Sequence, residues 1–144
     1  GEWSHNVAVA SIAYAIGTTA VLFGKHIDKL DVDSAKSIRT LPVILGERNS
    51  RYTVLGMLVA QFAVIAYLVA IGYFTPAMLI PFAAVPSLRR VFATYQHPRP
   101  KQAPPELPKG VWPLYFVAVT FWYNRRFGIL FLVGLLGDIL LSRL

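Results

Sequence analysis

This chain of 144 residues is 56% hydrophobic and only 15% charged, whereas ordinary soluble domains hold about 45–50% apolar and about a quarter charged residues. Its mean hydropathy of +0.53 comes from apolar runs, not alternation, which points to a membrane and away from one large soluble core. The lack of cysteine excludes disulfides, thiolate metal sites and cysteine nucleophiles. The net charge of +7 reads as basic membrane-flanking loops and not as a nucleic-acid surface, since no basic helix with interleaved aromatics stands clear of the apolar runs.

Gly1 opens the chain with no initiator Met, basic n-region or cleavage site, so the start reads as internal to a longer protein. Residues 6–24 form the first spanning candidate, since about 20 apolar residues suffice to cross a bilayer. Ala8, Ser11, Ala15 and Thr19 are expected to make its small-residue packing face, with Trp3 as an interfacial anchor. Residues 25–51 are too polar to span and are expected to form a loop. Tyr52 to Leu88 is uncharged for 37 residues, enough for two spans, 52–72 and 76–93. The Gly72–Pro76 stretch turns between them, and Pro81 and Pro86 kink the second.

Residues 94–126 are expected to hold a proline-rich loop followed by an interfacial helix over Val111–Tyr123, crowded with aromatics and bordered by Arg125-Arg126. A last span covers 127–142. Of the 14 Lys and Arg residues, 13 lie in the segments Lys25–Arg51 and Arg89–Arg126, which places both on the cytoplasmic side and the Gly72–Pro76 turn outside. The expected fold is therefore an all-α integral membrane helical bundle with about four transmembrane helices plus one interfacial helix, running through the whole chain as a single membrane domain.

The chemistry concentrates between the first two spans. Lys25, His26, Lys29, Lys36 and Arg39 surround Asp28, Asp31 and Asp33. On a helix Asp28 and Asp31 share a face, and oxygen-only ligands suit Mg²⁺, which takes one or two carboxylates together with substrate phosphates. Lys25, Lys29, Lys36 and Arg39 can bind phosphate oxygens. A mixed-charge loop whose ions merely pair with one another is the plainer reading of the same spacing.

The Asp-rich stretch followed by Arg39-Thr40-Leu41-Pro42-Val43-Ile44-Leu45-Gly46-Glu47, set between two spans, resembles the second aspartate motif of the UbiA superfamily of intramembrane prenyltransferases. The resemblance implies the C-terminal part of a nine-helix bundle, with 6–141 supplying its later helices and an N-terminal half as partner. It implies Mg²⁺, an isoprenyl diphosphate and a prenyl acceptor as cofactor and substrates, and prenyl transfer as the reaction. It casts Asp28, Asp33 and Arg39 as catalytic, Asp28, Asp31 and Asp33 as metal ligands, and Lys25, Lys29, Lys36 and Arg39 as diphosphate ligands. Asp33 holds the family's later aspartate position, six residues before Arg39, while Lys29 stands where the earlier aspartate belongs. The metal face is then kept by Asp28 with Asp31 or by Asp28 with Asp33. Tyr14, Phe62, Tyr67 and Phe82 are candidate walls for the prenyl chain. The family's first motif is absent from this sequence. A non-catalytic membrane module that binds lipid or packs against other helices is the alternative.

Overall fold

A computed structural model describes residues 5–143 except 106, with the side chain of residue 6 also left out; Trp3 lies outside these. The fold is all-helical, with no strand among the described residues. The helices are α1 (His5–Asp28), α2 (Leu30–Ala35), α3 (Leu41–Ala70), α4 (Val85–Tyr95) and α5 (Tyr115–Leu141), and a 3₁₀ helix (Pro76–Ala84) precedes α4. Helix α1 packs on both α3 and α5, the 3₁₀ helix lies along α5, and α4 contacts α3 and α5.

Among the described residues, two helices are long and apolar enough to cross a membrane: α1 over Val7–Asp28 and α3 over Leu41–Ala70. The core where they meet is aliphatic and aromatic: Leu58, Ile65, Leu68 and Met78 are fully buried. Phe62 stacks edge-on against Phe82 and Phe127, with ring centres 5.1 and 5.6 Å apart.

Helix α1 uses a different small-residue face from the expected one. Ala13, Gly17, Ala20 and Gly24 are the buried small residues, while Ser11, Ala15 and Thr19 are exposed. The face is decided by where α5 comes closest. A Cβ on Gly24 would stand 2.7 Å from the Tyr95 hydroxyl and 3.0 Å from the Val117 backbone. The exposed hydroxyls bond back to their own helix, as Ser11 does to the Ala8 carbonyl and Thr19 to the Ala15 carbonyl (2.7 and 2.9 Å).

The segment 25–51 is mostly helical instead of a loop. Helix α1 runs on to Asp28, α2 follows at once, and α3 begins at Leu41 with Pro42 in its first turn, where the missing N–H costs nothing. Gly46 interrupts α3 with φ 77° and ψ 162°, a conformation open essentially to glycine alone. Ser50 spans the break, its hydroxyl lying 2.8 Å from the Gly46 carbonyl and 3.3 Å from the Pro42 carbonyl.

Two further expectations meet a different geometry. The stretch 76–93 divides into the 3₁₀ helix containing Pro81 and then α4, with Pro86 in its first turn; each proline removes an N–H that a continuous α-helix would need. The interfacial helix and the last span are one helix, α5, of 27 residues. Asn124, Arg125 and Arg126 do not break it: the arginines reach outward from a helix whose backbone bonds stay intact.

Candidate functional site

Asp28 is the junction of three elements. Its side chain is buried at the end of α1, and its carboxylate oxygens accept the backbone N–H groups of Phe116 and Val117 at 3.0 and 2.9 Å. These amides open α5, whose N-cap residue Leu114 contributes no side-chain cap. The carboxylate therefore caps α5 from another helix, satisfying orphan donors and facing the positive end of the helix dipole. Arg99 donates from Nη1 to the Asp28 carbonyl at 2.6 Å and its guanidinium lies over the Trp112 ring. Gly24, one turn earlier, lets α1 approach closely enough for Asp28 to reach α5.

Asp33, also buried, pairs with His26: Nδ1 to Oδ2 is 3.0 Å. Asp31 is exposed. The three aspartates thus face α5 amides, solvent and an imidazole respectively. Among the described residues no group of three or more His, Asp or Glu side chains stands together to hold a metal ion. With both Asp28 oxygens on α5 amides, Asp33 on His26 and Asp31 exposed, neither pair, Asp28 with Asp31 or Asp28 with Asp33, presents a shared open face that fits Mg²⁺.

The expected diphosphate ligands all lie in the short stretch between the last turn of α1 and the start of α3. Lys25, Lys29, Lys36 and Arg39 are all exposed, and none makes an ion pair among the described residues. They come from the last turn of α1, the junction with α2, and the link into α3, so one end of the molecule carries four uncommitted cations.

Several polar residues have roles that composition alone does not convey. Arg51 is buried, donates from Nη1 to the Tyr95 carbonyl at 2.9 Å, and sits 3.3 Å from the Glu47 carboxylate, tying α3 to the end of α4. The Tyr95 hydroxyl bonds Thr120 at 2.5 Å and donates to the Phe116 carbonyl at 3.2 Å; burial pushes its pKa above the ordinary tyrosine value, which keeps it a donor. Asp138 accepts the Thr75 N–H at 2.6 Å, holding α5 to the residue that leads into the 3₁₀ helix. Gln61 is fully buried, with neither amide atom hydrogen-bonded, beside an equally unpaired Asn124 Oδ1. Both carboxamides border the space a side chain on Gly17 would fill.

Of the expected wall residues, Phe62 and Phe82 stack together, Tyr14 leans on Phe131 with ring centres 5.9 Å apart, and Tyr67 faces outward. A signal for the Asp28 contact exists in the sequence, a glycine four residues before a carboxylate at the end of an apolar run; its target at 116–117 does not.

No known family, curated protein or solved structure matches the chain.

Proposed function

We propose that this chain is part of an integral membrane prenyltransferase that moves an isoprenyl group from its diphosphate to an aromatic or related acceptor. The observation that carries the reading is the end-on grouping of Lys25, Lys29, Lys36 and Arg39, exposed and unpaired among the described residues, beside helices that expose large apolar side chains. The resemblance of residues 28–47 to the family's second aspartate motif supports it.

Membrane insertion is favoured by how little of the long helices is covered. A soluble core helix is mostly buried, yet only 28% of the apolar window of α1 and 39% of that of α3 is buried. Ile12, Leu22, Val59 and Tyr67 face outward, and the outward hydroxyls of α1 are satisfied by their own helix, as lipid demands. In this proposal the end of α1, the start of α3 and the connection before α5 lie on the cytoplasmic side, and a further half of the bundle covers part of the exposed apolar surface.

The chemistry follows from the cations. As the allylic C–O bond breaks, its electron pair leaves with the diphosphate, and fixed positive charge where that charge develops lowers the barrier. Arg39 suits paired phosphate oxygens through its planar fork, whereas Lys25, Lys29 and Lys36 act as point charges. The acceptor carbon attacks the allylic cation and then loses a proton. The proposal rests on these cations, and no step runs through a metal.

The test uses the complete reading frame in membranes, measuring diphosphate release from isoprenyl diphosphates of several lengths with an aromatic acceptor present. Release is expected, with KM raised at least about tenfold in Arg39→Gln. Unchanged kinetics in Arg39→Gln would refute the site. A second reading, a non-catalytic module whose basic end rests on anionic lipid, is favoured by the commitment of Asp28 to capping; it predicts no release from any diphosphate.

A further inference from the structure

A cavity of about 430 Å³ opens between α4, α5 and the turn at Leu107-Pro108. Ser87, Arg90 and Val91 enter it from one face of α4. Val119, Trp122, Tyr123 and Arg126 enter it from α5 at helical spacing. A smaller space of about 180 Å³ shares Arg90, Leu107 and Val119 and continues toward Thr94 and Tyr115. The volume falls within the range of about 300–1,000 Å³ typical of ligand sites.

The polar equipment is cationic. Arg126 donates from Nη1 to the Ser87 hydroxyl at 3.0 Å, which steadies its guanidinium at the rim. Neither Arg90 nor Arg126 has a carboxylate partner among the described residues. Tyr123, only 2% exposed, lines the cavity and its hydroxyl is buried without a hydrogen-bond partner. The remaining walls, from Leu107, Val91, Val119 and Trp122, are apolar. Trp122 is 66% exposed beside an exposed Phe121, as tryptophans are at the headgroup level of a bilayer.

We propose that this cavity is an anionic-lipid site. A phosphate group sits between Arg90 and Arg126, whose guanidinium forks match its oxygens, and the first methylenes of the lipid lie against Leu107, Val119 and Trp122. Two cations above an apolar cleft suit a lipid phosphate and not a free one, which would leave those walls unused. Basic pockets between helices on the cytoplasmic side are where such headgroups dock. The site shares no residue with the proposed diphosphate ligands and stands whether or not the chain belongs to a transferase.

The experiment titrates the purified chain in dodecyl maltoside with dihexanoyl phosphatidic acid, dihexanoyl phosphatidylcholine and inorganic phosphate, reading heat of binding. Phosphatidic acid is expected to bind at least about tenfold tighter than either of the others, and Arg90→Gln or Arg126→Gln to weaken it about tenfold each. Both arginines are exposed, so these variants should fold. Arg143→Gln, which removes the same charge beyond the far end of α5, should leave the affinity unchanged. Three results would overturn the proposal: equal affinity for phosphatidic acid and phosphatidylcholine, inorganic phosphate binding as tightly as the lipid, or phosphatidic acid affinity unmoved by Arg90→Gln and Arg126→Gln.

Discussion

Replacing Asp28 by alanine should loosen the start of α5 more than any other single truncation at this end of the bundle. The carboxylate accepts two backbone amides, at 3.0 and 2.9 Å, and Phe116 is fully buried. A buried donor left unmet costs about 1–3 kcal/mol, and losing an anion at a helix N-terminus adds about 0.3–1 kcal/mol. With both amides left unmet, Asp28→Ala should therefore cost about 2–7 kcal/mol. Asp28→Asn keeps one acceptor oxygen and should cost about 1–3 kcal/mol. Arg99 bonds the backbone carbonyl of residue 28, so that contact survives in both variants. Hydrogen exchange in micelles reads the effect where it arises: protection of the Phe116 and Val117 amides should fall about a hundredfold or more in Asp28→Ala. Undiminished protection with an unchanged denaturation midpoint would refute the capping argument. If Asp28→Asn kept its stability while the complete protein lost the proposed prenyl transfer, the carboxylate would have a chemical duty that capping does not explain.

Gly46→Ala should lower stability by about 1–3 kcal/mol, because its φ of 77° with ψ of 162° excludes a Cβ; a neutral thermal midpoint would show that α3 does not need this break. Gly24→Ala places a methyl 3.0 Å from the Val117 backbone and should cost about 1–3 kcal/mol by overpacking, with protection at Phe116 and Val117 reduced in step; loss of stability without loss of protection there would argue against a shared contact. Gln61→Met, close in volume, removes two unpaired buried amide atoms and should stabilise by about 1 kcal/mol or more. A destabilised Gln61→Met would mean that the carboxamide has a bonding partner. Asp138→Ala should weaken the junction with the 3₁₀ helix by about 0.5–2 kcal/mol, visible as faster exchange at the Thr75 amide.

The all-helical fold was legible because long apolar runs between charged segments leave few other ways to satisfy the backbone. The turn at Gly72 was legible because glycine acts locally, whereas the helix start at Leu41-Pro42 was not, since the polar stretch 25–51 read as a loop. Asp28 stood out in the sequence as one of three clustered aspartates, but its contacts with two amides 88 and 89 residues further on did not. The grouping of Lys25, Lys29, Lys36 and Arg39 was legible from proximity in sequence. The Arg90–Arg126 cavity was not, since its walls come from α4, a proline-rich turn and α5.

By itself, then, the sequence determined that the fold is helical, where charge collects, and that metal thiolate and disulfide chemistry are excluded. These are consequences of local propensity and composition, which act within one or two turns. Only the tertiary structure decided which face of α1 is buried, whether residues 111–142 hold one helix or two, and where each aspartate spends its charge. Those outcomes depend on close approach between helices distant in sequence: Gly24 against Val117, Asp28 on the amides of α5, Asp138 on Thr75. A carboxylate satisfies whichever donors packing brings to it, and the sequence around it does not record which they are.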